Sequence, residues 1–121
     1  MERKPIRLTE KLDQFSDYWT PRVIAELNDY QLKLAKIQGE FVWHKHEDTD
    51  EMFFVLAGEM SLDFRDSSVD LHQGEIYIVP KGIEHRPRAM SECSILLIEP
   101  AGTLNTGDTE SELTAPLDHW L

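Results

Sequence analysis

Turn residues divide the sequence between residues 23 and 100 into short segments. These turn signals recur about every eight to twelve residues. They include Asn28-Asp29, Gly58, Asp66-Ser67-Ser68, Gly74 and Pro80-Lys81-Gly82. Several segments alternate between apolar and polar residues, as residues 59–65 do from Met60 to Phe64. Short strands at this spacing predict an all-β sandwich or barrel.

The N-terminal region carries apolar side chains at intervals of four, three and four residues, which is the spacing of one face of a short helix. These residues are Leu8, Leu12, Phe15 and Trp19. The 121 residues suit a single domain, which we divide into an arm (1–22), a barrel (23–100) and a tail (101–121). The tail is polar until Leu117 and Trp120, so we expect it to start irregular and to dock through these two side chains.

The composition excludes some classes of partner. Acidic residues outnumber basic ones by 23 to 12, which gives a net charge of −11. Nucleic-acid binding requires a basic face, and an anionic membrane would repel this chain, so we expect neither partner. The single cysteine, Cys93, forms no intrachain disulfide. The N-terminal segment is charged and the apolar runs are too short to span a bilayer, so a cytoplasmic location is expected.

Two histidines and a glutamate stand beside a strongly apolar run. Side chains of a strand alternate between its faces, so His44 and His46 point the same way, together with Val42. If the next strand pairs antiparallel across the turn at 47–50, Glu51 faces the same interior. Two imidazoles and a carboxylate converging there are suitable ligands for a divalent transition metal. Coordination would also explain how such polar groups survive inside a barrel.

A fourth ligand is expected from a second segment. His85 follows the turn Pro80-Lys81-Gly82, in which the glycine allows the chain to fold back towards the site. The remaining interior is expected to be mainly apolar. Its predicted lining residues are Val42, Phe53, Val55 and Tyr77.

The two segments together resemble the two sequence motifs of small bacterial cupins. In the first, Gly39 precedes His44 and His46, and Glu51 and Gly58 follow after four and six intervening residues. In the second, Gly74 is followed after five residues by Pro80-Lys81-Gly82, and then after two residues by His85. The resemblance covers about residues 39–89 and concerns several positions with their internal spacing, so it is far more specific than a lone H-x-H.

The resemblance implies a fold and a metal site. The fold would be a double-stranded β-helix, a jelly-roll-like barrel, here with a short N-terminal helical arm. One metal would be held by His44, His46, Glu51 and His85, with one or two coordination positions open to water or substrate. Nitrogen-rich ligation suits Fe, Mn, Zn, Ni, Co and Cu alike, so the sequence leaves the identity of the metal open.

Two classes of function remain open at this level. The first is a metal-dependent enzyme that acts on a small oxygen-bearing molecule, with dioxygenase-like or isomerase-like chemistry. The second is a non-catalytic, metal-dependent module that binds a small molecule. No catalytic acid or base beyond the ligands is evident. Met52, Phe54 and Leu56 point outwards and form an apolar face. We expect the chain to form a homodimer through this face.

Overall fold

The computed structural model describes residues 2–121, which form one short helix and seven strands. The elements are α1 (Leu8–Leu12), β1 (Arg22–Leu27), β2 (Tyr30–Glu40), β3 (Glu51–Ala57), β4 (Glu59–Asp63), β5 (Ser68–His72), β6 (Ile76–Val79) and β7 (Arg86–Pro100). All pairings between these strands are antiparallel. The predicted all-β barrel is confirmed.

Strand β7 joins the two halves of the barrel. Its first residues, Arg86 to Arg88, pair with β4, which also pairs with β5. Its later residues pair with β2 on one side and β3 on the other, in the strand order β1-β2-β7-β3-β6. The register against β2 shifts between Ile37 and Gly39, where extra residues of β7 bulge outwards. With this irregularity, β7 pairs with strands of both halves of the barrel.

The barrel interior is an apolar core built from alternate residues of the strands. Its buried members are Ala35, Ile37, Phe53, Val55, Met60, Leu62, Leu71, Val79, Ala89, Cys93, Ile95 and Leu97. A second cluster lies on the outer face of β1 and β2, where Leu34 and Ile24 are covered by Phe15 and by Leu8 and Leu12 from the arm. Helix α1 therefore covers apolar sheet surface that would otherwise be exposed to solvent.

Two sequence-based expectations about elements were wrong. The helical pattern extends to Trp19, but helix α1 ends at Leu12, and Trp19 has a positive φ of 61° that no helix allows. Residues 41–50 form no regular strand and contain only an isolated bridge, between His44 and His85.

The tail is irregular, as expected, but the two apolar residues predicted to anchor it are largely exposed. Leu117 and Trp120 remain 44% and 47% exposed, whereas Thr106 is fully buried and bonds to Thr114. Trp120 contributes through its backbone, which forms a bridge with Val23. Expectations based on apolar residues therefore identified the wrong contacts.

No helix among residues 2–121 has the length and the apolar character that crossing a bilayer requires.

Candidate metal centre

Four side chains converge at one end of the barrel. Nitrogen or oxygen atoms of His44, His46, Glu51 and His85 all lie within 4.8 Å of one another, and the four residues are buried. Glu51 is the first residue of β3, whereas the three histidines lie outside the regular strands. The structure thus brings together all four residues that the sequence indicated.

Backbone pairing places the histidines. The amides and carbonyls of His44 and His85 exchange two hydrogen bonds, of 3.0 and 2.9 Å. The amide of Gly82 donates to the carbonyl of His46 at 2.8 Å, which fixes the turn before His85 against the first histidine segment. Gly82 has a φ of +78°, a conformation that other residues adopt only with strain. The turn predicted from residues 80–82 therefore closes the site.

The ring nitrogens are set for coordination. Nδ1 of His44 donates to the carbonyl of Val42, and Nδ1 of His85 donates to that of Ile83, each at 2.9 Å. A carbonyl only accepts, so Nδ1 carries the proton and, in the neutral ring, Nε2 keeps a free lone pair. Such outer bonds commonly orient histidines that bind metals.

The inward-facing atoms lack suitable partners. Nε2 of His44 and Nε2 of His46 make no hydrogen bond, although the latter lies 3.1 Å from Oε2 of Glu51. Nε2 of His85 lies 3.3 Å from Oε1 of Glu51. Buried lone pairs beside a carboxylate are costly unless a cation lies among them. The donor set therefore fits a divalent transition metal ion, whose identity the geometry does not select.

The electrostatics of the site put His44 and Glu51 in their metal-binding protonation states. Burial, together with the nearby His85 ring, lowers the pKa of His44 to about 4, so this imidazole is neutral at pH 7. Burial alone would raise the pKa of Glu51, but His46 and His85 outweigh it and hold that pKa below its usual range. Burial lowers the pKa of His46, and contact with Glu51 more than reverses this effect.

A buried ion pair lies behind the cluster. Nζ of Lys33 contacts Oε1 of Glu99 at 2.9 Å and the carbonyl of Thr103 at 3.3 Å. Burial and the charge of Glu51 raise the pKa of Glu99, and Lys33 partly offsets this rise. Oε2 of Glu99 has no hydrogen-bond partner. The polar interior thus continues beyond the four clustered residues, towards the tail.

On its other side the cluster opens into a largely apolar cavity. The cavity is narrow, with an enclosed volume of about 30 Å³, and part of it is open to solvent. His44 and Glu51 lie at its inner end. The other lining residues are Trp19, Pro21, Ala35, Ile37, Phe41, Phe53, Pro87, Ile95, Leu97 and Asn105.

The four residues predicted to line the pocket lie in different places. Phe53 lines the cavity. Val42 contacts the site through its carbonyl group, and Phe41 lies along the cavity instead, because this segment is not a regular strand. Val55 is fully buried deeper in the core. Tyr77 packs 5.9 Å from Phe64, between ring centroids, beside a separate surface depression.

Sequence reasoning missed the aromatic wall of the cavity and the buried ion pair. Trp19 and Phe41 stack with ring centroids 4.6 Å apart, and no periodic signal marks the irregular segments that carry them. Glu99 could have been found, since it continues the inward alternation of Cys93, Ile95 and Leu97 along β7.

The tail forms hydrogen bonds with the segment that carries the first two histidines. The amide of Asp108 donates to the carbonyl of Lys45, and the amide of Lys45 donates to Oδ1 of Asp108, both at 3.1 Å. The hydroxyl of Thr109 donates to the carbonyl of Trp43 at 3.2 Å. Gly107 lies so close that a Cβ there would stand 2.3 Å from the carbonyl oxygen of Lys45. The tail is therefore part of the scaffold of the site.

Similarity to known proteins agrees with this geometry. Among curated proteins, the uncharacterized protein YdbB of Bacillus subtilis is 40% identical over 77 residues, which are 63% of this chain and 68% of YdbB. A protein of Brucella anthropi named 3-hydroxyanthranilate 3,4-dioxygenase is 39% identical over 64 residues, or 46% of this chain. The chain spans only about a third, 35%, of that dioxygenase.

A solved structure supports the same relationship. The crystal structure of a cupin-2 domain containing protein from Shewanella frigidimarina superposes with a TM-score of 0.78 at 54% sequence identity. The match covers 78% of this chain and 93% of that protein. Residues 32–99, more than half of the chain, match the family described as the cupin domain. The chain therefore belongs to the cupin-domain family.

Proposed function

We propose that this cupin is a metal-dependent dioxygenase that acts on a small oxygen-bearing molecule. The observation that carries the proposal is the opening of a buried His₃Glu cluster into an apolar cavity, with His44 and Glu51 at the boundary. The partial similarity to a 3-hydroxyanthranilate dioxygenase supports the same reaction class. A divalent metal with three neutral imidazoles and one carboxylate would give the site a charge of about +1, which suits an oxygen ligand that loses a proton on binding.

The residues of the chain have distinct roles in this proposal. His44, His46, Glu51 and His85 would hold the metal, which when bound would supply one-electron chemistry with dioxygen. The apolar cavity walls would exclude water from the reacting molecule, and Phe53 packs beside His85 with ring centroids 6.1 Å apart. Asn105 is the cavity's polar residue besides the ligands, and it offers no group that transfers protons.

The direct test is oxygen consumption by protein loaded with Fe²⁺ under anaerobic conditions. A panel of catechols, aminophenols, thiols and diketones is added, and dioxygen uptake is followed with an electrode. We expect one substrate class to consume about one dioxygen per molecule without an added reductant, since a dioxygenase places both oxygen atoms in its product. Protein loaded with zinc is the matched control, and it should consume none.

Two other results would count against the dioxygenase. The second candidate, a binding module without catalysis, is favoured by the scarcity of polar groups in the cavity. It predicts that panel molecules bind to both the iron and the zinc forms without oxygen uptake. Isomerase-like chemistry predicts turnover that is independent of dioxygen and also occurs with zinc or manganese. Either result would refute the proposal.

We further propose that the chain forms a homodimer in the cytoplasm. Ile76 and Ile78 on the edge strand β6 are 53% and 52% exposed, and they pair with Phe54 and Met52 on the same outer face of the sheet. A contiguous apolar surface on an edge strand is a common site of association between subunits. The one cysteine, Cys93, is buried, so stability needs no oxidising compartment.

Ile78→Asp is expected to convert the dimer into a monomer. A buried, unpaired carboxylate at the centre of the interface should weaken association by about 100-fold or more. Light scattering after size-exclusion chromatography measures the mass. Met90→Asp is the control, because Met90 is 96% exposed and lies away from β6, and it should leave the dimer intact. A monomeric wild-type protein would contradict the proposal.

A further inference from the structure

The cavity beside the cluster has no positive charge. Among residues 2–121, those that line it include no lysine and no arginine. The arginines near the second motif are engaged elsewhere, because Arg86 and Arg88 both bind the carboxylate of Asp63 at 3.0 and 2.8 Å. Lys33 is bound to Glu99. A carboxylate on the part of a ligand that points away from the cluster would therefore lose its water here without gaining a cation.

The polar side chain away from the cluster is also fully engaged. Nδ2 of Asn105 donates to the carbonyls of Trp19 and Leu113, at 3.0 and 2.9 Å. Oδ1 of Asn105 accepts from the amide of Ala115 at 2.9 Å. This amide joins the arm to the tail and has no hydrogen left to donate to a ligand. Within the cavity, hydrogen bonding is confined to the end at which His44 and Glu51 lie.

Trp19 forms an aromatic wall at a cost in backbone strain. Its φ of 61° is unusual for a bulky residue. Three hydrogen bonds hold it: its amide donates to Lys36, its indole donates to the carbonyl of Gln38, and its carbonyl accepts from Asn105. The ring stacks on Phe41 at an interplanar angle of 18°. Strain maintained by surrounding contacts is often found where a side chain must be held for function.

We infer that the cavity takes a single uncharged aromatic ring, which stacks against the wall formed by Trp19 and Phe41 and turns its oxygen substituents towards the cluster. This inference rests on the proposed function and specifies its substrate class. The walls lie close together, so a flat ring fits better than a globular group. Trp19 is held in place by its hydrogen bonds, whereas Phe41 lies in an irregular segment, so Phe41 is the part of the wall that shifts to admit the ring.

The inferred substrate differs from the one in the name of the Brucella anthropi dioxygenase. Anthranilate is an aminobenzoate, so the substrate in that enzyme's name carries a carboxylate. This cavity has neither a cation nor a free donor for such a group. A neutral ortho-diphenol has the two oxygens without the carboxylate. Sequence similarity to that dioxygenase alone would have suggested a substrate ring that carries a carboxylate.

The test compares two probes on zinc-loaded protein by isothermal titration calorimetry. Zinc is redox-inert, so neither probe is consumed. Catechol supplies the neutral ring, and 2,3-dihydroxybenzoate supplies the same diol with a carboxylate. We expect catechol to bind at least about tenfold more tightly, because the carboxylate would be buried unpaired. Equal affinities, or tighter binding of the benzoate, would overturn the inference.

Variants of the wall provide the second readout. Trp19→Leu should weaken catechol binding about fivefold, and Trp19→Phe, which keeps a ring, should restore most of the loss. Trp120→Leu, in the tail and outside the cavity, should have no effect. All variants are compared at the same zinc content, near one per chain. Unchanged catechol binding by Trp19→Leu would refute the role of the wall.

Different results would refute the proposed function and the inferred substrate class. Protein that retains no zinc would refute the proposed function and this inference together. Protein that retains zinc, and that consumes oxygen with carboxylated rings in its iron form, would refute only the inference. Zinc-loaded protein that binds neither probe would also overturn it.

Discussion

His46→Ala is expected to lower the bound metal from about one ion per chain to below about 0.1. His46 supplies one of the three imidazoles, and its Nε2 lies 3.1 Å from the Glu51 carboxylate without a hydrogen bond. Its removal leaves three donors and opens the buried site to water. Elemental analysis of protein purified without a metal-affinity column measures the change. The residual metal should also dissociate more rapidly into a chelator.

The control for this experiment is another histidine of the same chain. The side chain of His72 is 64% exposed and its ring nitrogens lie beside Glu59 and Glu75, away from the cluster, so His72→Ala should retain the full metal content. Thermal unfolding separates loss of a ligand from loss of the fold, since added zinc should stabilise the wild type and the His72 variant. Wild-type protein that remains free of metal after reconstitution would contradict the assignment.

The convergence of the four ligands was predictable because their positions depend on local rules. Alternation along an extended chain put His44 and His46 on one face, although the segment is not a regular strand. An extended backbone places alternate side chains on the same face even where the segment pairs with no neighbouring strand. The turn at Pro80-Lys81-Gly82 returned His85 to the site, because proline and glycine favour the backbone angles that such a turn requires.

The cavity walls and the ion pair were harder to predict because they depend on tertiary contacts. Trp19 lies at helical spacing in the sequence, yet hydrogen bonds to Lys36 and Asn105 place its ring over the barrel. Strand β2 shows a related limitation. Polarity alone would place Gln31 and Lys33 on its solvent face, but both are buried, and Leu32 on the other face is only half-buried. Which face is interior is decided by the whole barrel.

The contact between the tail and the site leads to the second large prediction. Gly107→Ala is expected to destabilise the fold by about 3 kcal/mol. Its new Cβ would lie 2.3 Å from the carbonyl oxygen of Lys45 and 3.2 Å from Cδ2 of His44, so the backbone has to move. The φ of +57° adds strain for any residue with a side chain. Urea unfolding of the metal-free protein measures the change.

Gly102→Ala separates crowding from backbone strain. Gly102 lies in the same tail with a φ of +87°, but a Cβ there would meet nothing within 4 Å. This variant should therefore cost only about 1 kcal/mol, from the backbone conformation alone. Displacement of His44 should in addition weaken zinc binding by Gly107→Ala about tenfold, whereas Gly102→Ala should bind zinc as the wild type does. Equal stabilities and equal zinc affinities of the two variants would show that the tail does not position the histidine segment.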